Sequence, residues 1–168
     1  VAKLAGTHLC LAYNRQYGGE RFVPVIPNSV YGPNDNFDPA SGHVLSALIR
    51  RFHDAKAQGD RKVTLWGSGL PRREFLYVDD LAEAHILALD YLKRGGASET
   101  VNCGYGKGYS VRDVVNTMKK VSGVDFPVEE KPRRPGDTVA VWADNTRAKK
   151  ILGWKPKIDL DEGIRQTI

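Results

Sequence analysis

The stretch from Trp66 to Ala84, WGSGLPRREFLYVDDLAEA, limits what this chain can become more than any other. Gly67 and Gly69 permit backbone angles closed to residues with side chains, and Pro71 stiffens the exit of the loop. Arg72 and Arg73 then present two planar, permanently charged forks, a shape that grips a phosphate or diphosphate at two points. Phe75-Leu76-Tyr77-Val78 reads as a short strand. Asp79-Asp80 reads as a helix start, with Asp80 and Glu83 spaced as a capping box. A single arginine here would be a solvated surface residue. The ordered string of glycine loop, basic fork, strand and helix predicts an anion site.

The chain has 168 residues, enough for one domain or one lobe of a larger one. Its 41% hydrophobic and 27% charged residues are ordinary for a folded, water-soluble protein. No apolar run approaches membrane-spanning length, so no membrane partner is expected. Cys10 and Cys103 lack metal or redox spacing and read as reduced thiols of a cytoplasmic protein. The net charge of +5 suits an anionic ligand. The basic residues are scattered pairs, such as Arg50-Arg51 and Lys119-Lys120, and form no long face for nucleic acid.

Residues 2–17 have helical periodicity, ended by Gly18-Gly19. Phe22 to Ile26 reads as a strand, with Pro24 against a central position. Pro27 to His43 is dense in Pro, Gly, Asn and Asp and reads as a long loop leaving a strand's carboxyl end, where open α/β sheets place ligands. An amphipathic helix follows to about Ala57, then a strand over Val63 to Trp66. A helix from Leu81 to Leu92 and a strand from Glu99 to Cys103 come next. Gly104, Gly106 and Gly108 lack strand–loop–helix spacing and read as a tight connection, not a dinucleotide fingerprint. Ser110 and Asp113 form a second capping box, opening a helix with the best apolar stripe in the chain. Short strands are expected at Phe126 to Glu129 and Val139 to Trp142. Two last helices follow, one capped by Asp144 and closed by Gly153, the other from Leu160.

VAKLAG, NSVYGPNDNF, WGSGLPRREFLYVDDLAEA and RRPGD…ADNTRAKKILGWKP together resemble the extended short-chain dehydrogenase/reductase (NAD-dependent epimerase/dehydratase) family acting on nucleotide sugars. YGPNDNF and SGHVLSALIRRFHDA are similar to the GDP-L-fucose synthases, which epimerise and reduce GDP-4-keto-6-deoxymannose. From Asn102 onward, NCGYGKGYSVRDVV and EEKPRRPGDTVAVWADN are more similar to UDP-glucose 4-epimerases. The resemblance implies an α/β fold in which residues 1–168 are the C-terminal part of one Rossmann-type domain, with a small substrate-binding lobe interleaved. It implies NADP or NAD as cofactor, a nucleotide-diphosphate sugar as substrate, and a homodimer using the helix over residues 2–17.

Residue by residue, Lys3 matches the lysine of the family's Tyr-x-x-x-Lys pair, which lowers the tyrosine's pKa and holds the nicotinamide ribose. His43 matches the histidine that acts as acid in epimerisation. Pro27, Asn28, Ser29 and Val30 match the segment at the nicotinamide end. Arg51, Trp66 and Arg73 match nucleotide-sugar contacts, and Arg134 and Asp137 match epimerase residues on the diphosphate and ribose. Val1 is not an initiator Met, and the matching tyrosine and glycine-rich cofactor loop would precede it. The stretch is therefore expected to be the later part of a longer enzyme, inactive on its own. The reading of another class is a nucleotide-sugar-binding lobe without turnover.

Overall fold

A computed structural model describes residues 1–58, 62–132, 136 and 138–168. The first half runs α1 (Ala2–Tyr17), β1 (Val25–Pro27), β2 (Ser29–Tyr31), α2 (Val44–Gln58), β3 (Val63–Trp66), β4 (Arg72–Arg73), β5 (Phe75–Tyr77) and α3 (Val78–Lys93). The second half runs β6 (Val101–Cys103), β7 (Tyr109–Ser110), α4 (Val111–Ser122), β8 (Val128–Lys131), β9 (Ala140–Val141), α5 (Thr146–Leu152) and α6 (Leu160–Thr167).

The strands pair in parallel as β1 with β6, β2 with β5, and β3 with β8. Parallel partners need crossover connections, and the helices between them supply these. β4 is the exception: it lies between β7, antiparallel to it, and β9, parallel to it. Among the described residues, no strand pairs with its neighbour in sequence.

Two apolar cores hold the elements. The first gathers Leu45, Leu48, Ile49 and Phe52 of α2, Val114, Val115 and Met118 of α4, and Ile164 of α6 around β3 and β5. The second packs Ala84 and Ala88 of α3 against Val101 and Cys103 of β6, Leu152 of α5 and Trp154. The α4 stripe is buried as its periodicity predicts, and the Ser110–Asp113 capping box forms in both directions. α1 forms where expected but buries no residue. No helix among the described residues is long and apolar enough to cross a membrane.

Several elements differ from the sequence expectation for physical reasons. The first strand begins only at Val25, because Pro24 has no N–H to give, although its carbonyl accepts from Val101 N at 3.0 Å. β2 lies inside the segment read as loop. β8 is shifted to Val128–Lys131. The helix after Asp144 has Asn145 as its N-cap residue. α3 starts at Val78 directly from the strand, with no side-chain cap. Asp80 therefore does not form the expected capping box. It is 2% exposed and turned inward. Its carboxylate accepts from Lys157 N at 2.8 Å, Ile158 N at 3.1 Å and the Tyr105 hydroxyl at 2.8 Å. Its carbonyl accepts from Trp154 Nε1 at 2.9 Å, so one residue fastens the tail to α3.

Cys103 is fully buried, and burial pushes its thiol from 9.0 up to about 11. Its contribution to stability is whole below pH 9 and is lost as pH rises toward about 11. At pH 8, a thiol reagent is expected to titrate Cys10 rapidly and Cys103 only on unfolding. Two fast thiols in the native protein would contradict this placement.

Candidate functional site

The β2–β5 register places Ser29 opposite Phe75 and Val30 opposite Leu76. One step earlier, Asn28 therefore stands beside Glu74. Asn28 Nδ2 donates to Glu74 Oε2 at 2.8 Å, while Asn28 Oδ1 accepts from Ser29 N at 2.9 Å, which fixes the orientation of the amide. Glu74 is 0% exposed. Its Oε2 also accepts from Ala143 N at 2.8 Å, and its Oε1 from Gly106 N at 2.6 Å. Three N–H donors thus converge on one buried carboxylate. A Cβ on Gly104 would overlap this carboxylate, so the connection after β6 needs glycine there. Asn145 Nδ2 holds the same turn by donating to the Gly104 carbonyl at 2.5 Å.

Beside Glu74, β4 carries the two arginines. Arg72 Nη1 donates to Gly108 O at 2.9 Å, and Arg73 Nη1 donates to Arg72 O at 2.9 Å and Thr138 O at 2.7 Å. The fork read as an anion grip here fastens the β7 and β9 approaches to β4. Gly67 and Gly69 take φ of 71° and 68°, as their loop position demands. Gly67 N donates to Lys131 O at 2.8 Å, which joins this loop to the end of β8. Arg112 closes the other side. Its Nε donates to Ser68 O at 2.6 Å, and its guanidinium pairs with Glu130.

The segment from Gly32 to His43 has no regular element, but it is held. Asp35, Asn36 and Asp38 accept backbone N–H bonds in successive short turns. Ser46, buried in α2, donates to Asp35. Arg51 Nη2 donates to Pro39 O at 2.9 Å and ties the far side of this loop to α2. His43 stands exposed at the head of α2.

Of the expected site residues, the structure brings Asn28, Ser29 and Val30 beside β5 and one step from Arg73. It places His43 and Arg51 together on the loop–α2 unit. Lys3 is exposed on α1, and among the described residues no hydrogen bond or ion pair joins its side chain to this group. Trp66 ends β3, with its side chain outside what is described, and Arg134 and Asp137 lie outside the described residues. Glu74 and Arg112 went unread in the sequence. A lone acid between Arg73 and an apolar run was the available signal for Glu74.

The sequence profile of the NAD dependent epimerase/dehydratase family matches residues 1–104. GDP-L-fucose synthase 1 of Arabidopsis thaliana is 41% identical over 167 residues, covering 99% of this chain and 50% of the relative. A UDP-glucose 4-epimerase from Thermotoga maritima, solved with UDP-glucose, superposes at a TM-score of 0.84 with 31% identity, over 99% of this chain and 50% of that one. A GDP-mannoheptose C4 reductase from Campylobacter jejuni, solved with NADP bound, gives a TM-score of 0.79 at 30% identity, over 99% of this chain and 57% of that one. The chain spans about half the length of the curated relatives it matches. Its mixed α/β fold, with pieces of parallel sheet, matches the C-terminal part of Rossmann-like epimerase and reductase structures. The profile match covers more than half of the residues and contains the parallel pairs β1–β6 and β2–β5: the chain belongs to the NAD dependent epimerase/dehydratase family.

Proposed function

We propose that this chain forms the sugar-nucleotide side of an NAD(P)-dependent nucleotide-sugar epimerase/reductase acting on a GDP-4-keto-6-deoxymannose-like substrate. The observation that carries this reading is the 41% identity to a GDP-L-fucose synthase along 99% of the chain. The site geometry supports it. The expected nicotinamide segment runs from the carboxyl end of β1, where α/β sheets bind ligands, into β2, and Asn28 stands beside Glu74, the residue that follows Arg73.

Pro27 is exposed and Ser29 and Val30 are half-buried at the end of β1 and along β2, which fits a flat ring laid against them. These residues and Lys3 would hold the nicotinamide end of NADP or NAD, which supplies hydride to the sugar. Epimerisation beside a ketone needs one group to remove a proton and another to return one on the opposite face. His43 is the acid that returns it, and its loop is braced by Arg51 and Ser46. Arg51, Arg73 and Arg134 bind the nucleotide diphosphate, with Trp66 and Asp137 on the nucleoside. The homodimer uses α1, which leaves Leu4, Leu9, Tyr13 and Tyr17 exposed.

The second reading is a UDP-hexose 4-epimerase, favoured by the likeness to the Thermotoga maritima enzyme. A thermal-shift assay separates the two. GDP at a hundredfold excess over Kd contributes about 2.7 kcal/mol, a rise of several degrees. UDP leaves the midpoint in place. A shift with UDP alone would replace the first reading by the second, and a shift with neither would remove both.

A further inference from the structure

Glu74 has no part in the chemistry proposed above, yet it touches more of the site than any of the residues that do. Its partners come from separate segments: Asn28 before β2, Gly106 between β6 and β7, and Ala143 after β9. The first belongs to the expected nicotinamide wall. The other two flank β7 and β9, the strands on either side of the Arg72–Arg73 strand.

We propose that Glu74 is a positioning residue that couples the nicotinamide wall of the site to its nucleotide wall, through one buried carboxylate bonded to Asn28 on one side and to Gly106 and Ala143 on the other. The proposal rests on the nucleotide-sugar reading for the identity of the two walls.

The chemistry favours a carboxylate at this position. Three donors converge, and only a group with two acceptor oxygens can serve them all. Glutamine keeps the shape but turns an NH₂ toward at least one donor, leaving an N–H unpaired in a buried place. Aspartate is one methylene too short to reach across. The close approach of Gly104 shows that the turn is built around this side chain. Asn28 cannot turn to another partner without giving up its bond to Ser29 N. A displacement of the 106 or 143 segment is therefore transmitted to the Asn28 amide, and the reverse.

The test uses the chain itself as wild type, Glu74→Gln and Val114→Ala. Val114 is fully buried in α4, outside the site, so its truncation is a control for lost stability alone. GDP and UDP are titrated calorimetrically at a temperature where circular dichroism shows all three folded. The side-chain NH₂ signal of Asn28 is followed in ¹⁵N-edited spectra. The expected result is about tenfold weaker nucleotide binding by Glu74→Gln, equal to the loss of one hydrogen bond to a charged group, with Val114→Ala at wild-type affinity. Nucleotide should also move the Asn28 signal in the wild type and in Val114→Ala, and leave it still in Glu74→Gln. Equal affinity losses in the two variants, or an Asn28 signal indifferent to bound nucleotide in the wild type, would overturn the coupling.

If the wild type binds neither nucleotide, the nucleotide-sugar reading has failed, and the coupling is judged by a substitution instead. Trp142 is half-exposed and adjoins Ala143. Trp142→Ala should move the Asn28 signal when Glu74 is present and not when glutamine replaces it. Equal movement in both backgrounds overturns the proposal.

Discussion

Asp80→Ala is expected to lower the melting temperature by about 10 °C. The substitution removes the acceptor for Lys157 N, Ile158 N and the Tyr105 hydroxyl. The Tyr105 hydroxyl keeps the Ile158 carbonyl as acceptor, so two backbone N–H groups are left without a partner, at roughly 1–3 kcal/mol each and about 3–5 kcal/mol together. In a chain of this length, each kcal/mol moves the midpoint by about 2–4 °C. Trp154 keeps its bond, since that one goes to the backbone carbonyl. The damage is therefore confined to the joint between α3 and the residues after Trp154. Limited proteolysis should cut beyond that joint before anything else. Asp80→Asn retains one carbonyl acceptor and should lose about half as much. A midpoint within 2 °C of the wild type for Asp80→Ala, on the scale just used, would show that the tail does not depend on this carboxylate.

Gly163→Ala is expected to destabilise by about 3 kcal/mol, through overpacking rather than lost bonds. A Cβ at this position in α6 would overlap the Tyr31 hydroxyl and come within 2.8 Å of the ring carbon that carries it. Tyr31 is 2% exposed and lies edge-on to Tyr77, with ring centroids 5.6 Å apart, so it has nowhere to retreat. Its hydroxyl is buried without a hydrogen-bond partner among the described residues, and burial holds the phenol well above the ordinary tyrosine range. Tyr31→Phe alone should consequently be neutral or stabilising by up to about 1 kcal/mol. In the double variant, removal of the hydroxyl relieves part of the overlap. Recovery stays incomplete, because the ring carbon and Tyr77 Cδ2 at 3.1 Å remain. Urea unfolding of the four members of this cycle gives the coupling directly. Additive effects, or a clear loss from Tyr31→Phe, would show that the two groups do not meet as described.

The helices were legible because their signals are local. Ser110 with Asp113 marks the first turn of α4, and the Val114, Val115, Met118 stripe needs only its own period to be read. β3 and β5 were legible as apolar runs between turn residues. What could not be read depends on partners far along the chain. Ser29–Tyr31 is a strand only because Phe75–Tyr77 lies beside it, and its surroundings of Pro, Asn and Gly hide it. Asp79-Asp80 looks like a cap because acids favour a helix's first turn, yet Asp80 serves a tail lying more than seventy residues later. The candidate site was read from residue types and their resemblance to a family, as with Arg51, Arg73 and His43. Glu74, which holds the parts together, reads as one more surface charge until its three donors are seen.

Among the described residues no strand pairs with its sequence neighbour, and this sets the order in which this fold can assemble. None of the described strands forms a hairpin that could nucleate it. Val25 waits for Val101, Ser29 for Phe75, and Val63 for Val128. Each pairing must first meet the entropy of closing a long loop, so the folding rate is governed by these closures and not by the helices, which form locally and shorten the loops they occupy. During synthesis β1 and β2 emerge long before β6 and β5, and the edges those partners cover stay open until they follow. That interval is when these strand edges are most exposed to pairing with another copy of the chain.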